Sequence, residues 1–129
     1  MKKLLAVIPL SLAVITAQAG DRQEYKENET VTLTGQVTFR TGYDEENEKI
    51  SYPALIVKSP ISVKYHAGSR IKTMNSGRYV QLKVDTMKKL NTLEKKKNRT
   101  ITVTCNVGIA ESGEDFTPVN CSMFGSRHP

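Results

Sequence analysis

YVQLKVDTMKKLNTLEKKKNRTITVTCNVGI, residues 79–109, changes its hydrophobic period twice. In Tyr79–Val84 the apolar positions alternate, with Val80, Leu82 and Val84 on one side, as in a half-buried strand. From Met87 the spacing becomes three: Met87, Leu90 and Leu93 make one thin stripe among Lys88, Lys89, Lys95, Lys96 and Lys97. That pattern predicts a helix over 86–97, about three turns long. Asp85 or Thr86 would cap its N-terminus, and its lysines gather at the end where the helix dipole favours cations. After Asn98 the alternation returns, with Ile101, Val103, Cys105, Val107 and Ile109 against Thr100, Thr102, Thr104, Asn106 and Gly108.

Upstream, Thr30–Thr41 alternates in the same way. Val31, Leu33, Val37 and Phe39 share a face, and Gly35 interrupts it where a bulge or sharp coil would fit. A polar loop, Gly42–Lys49, leads to the strand Tyr52–Val57, with Pro53 at its start. Ser59-Pro60 punctuates that strand, Ile61–Tyr65 continues it, and His66–Gly77 reads as a turn-rich connection. Downstream, Glu111–Asp115 turns the chain and Phe116–Phe124 forms the last strand. The order is strand, strand, strand, helix, strand, strand. This predicts a mainly β fold, a small five-stranded OB-fold-like barrel with one helix between strands 3 and 4, over a single domain at 30–125. A β-sandwich would need about seven strands.

The N-terminus reads as an export signal. Met1-Lys2-Lys3 is positive, Leu4–Ile15 is apolar and Ala17-Gln18-Ala19 is a small-x-small motif. Residues 1–19 are thus expected to be a signal peptide cleaved after Ala19, placing the protein in the periplasm or outside the cell. Leu4–Ile15 is too short to span a bilayer, and no other segment approaches the required length. Residues 20–29, polar and without a period, read as a flexible lead-in.

Cys105 and Cys121 fall on the last two strands. A turn centred on Gly113 places Cys105 opposite Cys121, Val107 opposite Val119 and Val103 opposite Met123. Directly opposed residues lie within disulfide range, and an oxidising compartment favours the bond over two reduced buried thiols.

Val31-Thr-Leu-Thr-Gly35, Tyr52-Pro-Ala-Leu-Ile-Val57 with Pro60-Ile-Ser-Val63, Val80-Gln-Leu82, Arg99-Thr-Ile-Thr-Val-Thr104 and Phe116-Thr-Pro-Val119 resemble the bacterial exported domain of unknown function 4431. The resemblance covers roughly residues 30–122 and implies an OB-fold-like exported domain with no activity attached. The family pattern has glycine where Cys105 stands and histidines in the final turn. This chain has Glu111–Asp115 there, so no histidine or metal role is carried over.

Material for catalysis is sparse. His66 and His128 are the two histidines, and no nucleophile motif is present. No enzyme activity, cofactor or metal site is expected: the acidic loop lacks the alternating ligands and central glycine of a calcium loop. The formal charge is +6, but it is unevenly spread. Residues 60–110 carry a net +9, whereas 20–59 and 111–129 carry −3 and −2.

OB-folds bind ligands on the face of their second and third strands, between the loop joining strands 1 and 2 and the loop joining strands 4 and 5. Here those loops contribute Asp44, Glu45, Glu46 and Glu48 from one and Glu111, Glu114 and Asp115 from the other. These seven carboxylates repel a phosphate backbone and so disfavour nucleic acid as a partner. They point instead to a protein with a basic surface, as for an inhibitor or immunity-type module. The alternative is an oligosaccharide, cell-wall fragment or other small ligand held on the strand face by Tyr43, Tyr52, Tyr65 and Tyr79.

Overall fold

The computed structural model describes residues 23–123. Residues 1–19, expected from the sequence to be a signal peptide cleaved after Ala19, lie outside the described residues, as do Phe124 and His128. The chain forms β1 (Glu24–Lys26), β2 (Thr30–Tyr43), β3 (Lys49–Val57), β4 (Ser62–Ala67), β5 (Arg70–Asn75), β6 (Tyr79–Lys83), α1 (Met87–Lys95), β7 (Thr100–Ile109) and β8 (Val119–Ser122). Five strands close into a ring in the order β2-β3-β6-β8-β7. Renumbered within the ring, that is the OB order 1-2-3-5-4, with the helix between the third and fourth strands as expected.

β2 closes the ring because it is long enough to serve two neighbours. Residues 30–36 pair with β7 and residues 35–43 pair with β3, so Gly35 and Gln36 belong to both ladders. The strand coils sharply there, and Gly35 makes the coil feasible. A Cβ at that position would lie 2.7 Å from the Ile56 carbonyl oxygen and 3.2 Å from the Leu55 Cβ. The inward faces fill with Val31, Leu33, Val37, Leu55, Val57, Val80, Leu82, Val103, Val107 and Val119, all buried. This β-branched and leucine core follows the alternation read from the sequence.

A smaller sheet, β1-β4-β5, lies beside the ring, and three sequence expectations change there. Ile61–Tyr65 does not prolong the barrel strand. After Ser59-Pro60, which cannot extend the ladder through the proline nitrogen, the chain leaves the ring and β4 pairs with β1 and β5. The lead-in is also not without structure: Glu24–Lys26 runs parallel to β4 and buries Tyr25. The connection 66–77 contains β5, an edge strand with mostly exposed side chains. Such a strand shows no hydrophobic period, since only Met74 packs toward the core.

The helix is capped by Thr86, whose side chain accepts from the Lys89 N–H at 3.2 Å. Its stripe does not pack as a unit. Leu93 is buried and Leu90 half-buried, but Met87 is 68% exposed. Burial thus rises along the stripe from Met87 to Leu93, and Leu93 is the helix side chain that enters the core. Its exit is fixed to β2 by two bonds, Asn98 N–H to the Val37 carbonyl (2.8 Å) and Val37 N–H to the Arg99 carbonyl (2.9 Å).

Cys105 and Cys121 are joined, with Cα atoms 5.4 Å apart. The pairing is as expected, but the register is not. Cys121 lies opposite Val107, and Ile109 lies opposite Val119, so the turn is centred on Glu114 rather than Gly113. The disulfide therefore runs diagonally. A register displaced by two residues keeps every side chain on its original face, which is why the pattern could find the bond with the wrong partners opposite.

Candidate functional site

The loop between β2 and β3 is shaped by Asp44. Its carboxylate accepts the N–H groups of Glu46 (2.9 Å) and Glu48 (2.8 Å), and Asn47 adopts the left-handed conformation that reverses the chain. The loop between β7 and β8 is shaped by Asp115. Its Oδ1 accepts from Lys83 Nζ at 2.7 Å, and its Oδ2 accepts from the N–H groups of Glu111 (2.7 Å) and Ser112 (3.1 Å). Burial acts to raise the Asp115 pKa. The hydrogen bond from Lys83, the two backbone bonds and the Lys83 charge outweigh it, holding the carboxyl below its usual 3.8.

The second loop then folds across the outer face of β3 and β6. Phe116 stacks on Tyr52 with ring centroids 4.7 Å apart, and Gly42 gives it room: a Cβ on Gly42 would meet the Phe116 ring at 2.6 Å. Gln81, outward-facing on β6 and nearly fully buried, holds the loop backbone from below. Its amide donates to the Glu114 carbonyl (3.0 Å) and accepts from the Phe116 N–H (2.7 Å). Its own N–H donates to Thr117 Oγ1 at 3.0 Å, and that hydroxyl donates to the Val119 carbonyl. Farther out, the Glu45 side chain lies directly against Gly113, where any Cβ would collide with it. The two acidic loops are thus in contact, although Glu45 and Gly113 are far apart in sequence.

The seven acids divide by role. Asp44 and Asp115 organise their loops, and the Asp115 side chain is only 2% exposed. Glu45, Glu46, Glu48, Glu111 and Glu114 are exposed and form the outward charge of the rim. The four tyrosines do not form one platform. Tyr52 is buried beneath Phe116, and Tyr65 sits half-buried on β4 in the smaller sheet. Tyr43 is 60% exposed at the end of β2 beside the rim, and Tyr79 carries the Arg40 guanidinium 3.6 Å above its ring. Sequence reasoning missed Gln81, Phe116 and Gly42. Gln81 reads as an ordinary solvent-facing position of an alternating strand, and only a loop folded over the sheet makes it an anchor.

Among the described residues, no group of three or more His, Cys, Asp or Glu side chains gathers in a way that could hold a metal ion, and no helix is long and apolar enough to cross a membrane. No family model matches the chain, and neither a curated protein nor a solved structure does.

Proposed function

We propose that this chain is an exported, non-enzymatic binding module that engages a basic surface of a protein partner through its acidic rim, in the manner of an inhibitor or immunity protein. The observation that carries this reading is the contact of Glu45 with Gly113, which joins two acidic loops into one surface. Like charges repel, so loops under no other demand have reason to separate. Here Asp44, Asp115, Gln81 and the Phe116–Tyr52 stack hold them together. A surface fixed before the encounter loses little conformational entropy on binding, and its field accelerates association with a cationic partner. The same loop covers the strand face at Tyr52, which weighs against a ligand stacked there. The disulfide suits an oxidising compartment, in line with the resemblance to the exported domain of unknown function 4431.

The test is capture from a periplasmic extract of the host at low and high salt. The probes are the natural chain, a rim variant (Glu46→Gln, Glu48→Gln, Glu111→Gln, Glu114→Gln) and a helix variant (Lys88→Gln, Lys89→Gln, Lys95→Gln, Lys96→Gln). A partner retained by the natural chain at low salt, released at high salt and lost with the rim variant supports the reading. Loss with the helix variant and retention by the rim variant overturns it.

A further inference from the structure

Below the Phe116 loop, on the same outer surface, the chemistry reverses sign. Arg40 stacks 3.6 Å over the Tyr79 ring, and the Arg78 guanidinium lies 5.9 Å from the same centroid. Neither arginine has a carboxylate partner or a hydrogen-bond acceptor among the described residues. The Tyr79 ring holds the half-buried Arg40 guanidinium in place without using its N–H groups, which stay available to a carboxylate or phosphate.

Arg78 also lines a groove of about 960 Å³ that runs along the coil of β2 at Gly35. Lys58 adds a second cation, and no Asp or Glu is among the lining residues. The uncharged polar lining of the groove is Gln23, Thr32, Thr34, Gln36, Ser59 and Thr100. Gln36 donates its amide N–H to the Asn98 carbonyl at 3.1 Å, which leaves its side-chain oxygen available as an acceptor. The one aromatic ring lining the groove, Tyr25, is buried.

We infer that Arg40, Arg78 and this groove form a binding site for an acidic oligosaccharide, the arginines taking a uronate carboxylate and the threonine and glutamine side chains meeting the sugar hydroxyls. A single-stranded nucleic acid would require several exposed rings for base stacking, and the groove has none. A neutral sugar would leave two guanidiniums unanswered. The site is separate from the acidic rim and does not rest on the function proposed for it.

The experiment is a titration of the 15N-labelled chain with tri-galacturonate, maltotriose and hexathymidylate, followed by amide shifts. Tri-galacturonate is expected to move Thr34, Gln36, Arg78 and Tyr79, whereas maltotriose moves none of them. Arg40→Gln and Arg78→Gln should each weaken the acidic sugar about tenfold, the loss of one charge-assisted hydrogen bond. Arg78 is exposed, so its variant serves as the readout should Arg40→Gln disturb the fold. The four-residue rim variant should bind tri-galacturonate as the natural chain does, which separates this site from the rim. Equal binding of maltotriose and tri-galacturonate removes the role of the arginines and overturns the proposal. So does preference for hexathymidylate, or the absence of shifts at millimolar tri-galacturonate.

Discussion

Asp115→Ala tests the construction of the rim through stability alone. The natural side chain, 2% exposed, accepts three hydrogen bonds, from Lys83 and from the Glu111 and Ser112 N–H groups. A hydrogen bond to a charged group contributes roughly 1.5–3 kcal/mol. The full sum is not lost, because Glu111 and Ser112 are exposed and the Lys83 side chain is 34% exposed, so all three donors can turn to water. The net cost expected is about 2–3 kcal/mol, a fall in melting temperature on the order of 10 °C for a domain of this size. The pH dependence supplies a second and sharper signature. The carboxyl pKa is lowered in the folded state, so its stabilisation is complete above the unfolded value of about 3.9 and is lost as pH falls from there through the folded value. Urea unfolding of the natural chain and Asp115→Asn should therefore differ by a constant amount from pH 5 to 8, and the difference should shrink below pH 4. Equal midpoints at pH 7, or a difference that persists undiminished at pH 2, would refute the role assigned to this carboxylate.

Other expectations follow from the packing. Replacing Cys105 and Cys121 together by alanine should cost about 3 kcal/mol in urea unfolding, since the bond spans a sequence separation of 16 residues. An unchanged midpoint in reductant would contradict it. Leu93→Asp should abolish the near-ultraviolet signal of the folded domain by placing a carboxylate in the core, whereas Met87→Asp should change stability by about 0.5 kcal/mol or less. Gly35→Ala should cost roughly 1–3 kcal/mol, because the Ile56 carbonyl oxygen 2.7 Å from the new Cβ is backbone and cannot rotate aside.

The barrel strands were readable because each has one wet and one dry face, and alternation reports that difference directly. Val31, Leu33 and Val37 on β2 and Val103, Cys105 and Val107 on β7 are buried as the period requires. The signal fades where burial does. Three residues with a single inward side chain, Tyr25, do not make a period, and β5 exposes nearly every side chain it carries. Met87 shows the opposite failure: helical spacing identifies a stripe, but only tertiary contact decides how far along the stripe the core extends. In the candidate site, the acidic composition of the two loops was legible and their contact followed from strand order. The difference between Asp115, turned inward to Lys83, and Glu114, turned outward, was not, because it depends on the path of a loop with no repeating pattern.

The strand order also dictates when the protein can fold. β2 faces β7 across the greatest span of the chain, with Thr30 opposite Asn106, and β6 waits for β8, with Lys83 opposite Ser122. No stretch emerging early from a ribosome contains both edges of the ring, so a nascent chain has open β edges until its last strand arrives. Such non-local pairing makes assembly slow compared with a helical domain of similar length. For the exported chain proposed above, such delay would be useful, because the barrel can close only once β8 reaches β6 and a chain threaded through a translocation pore must still be open.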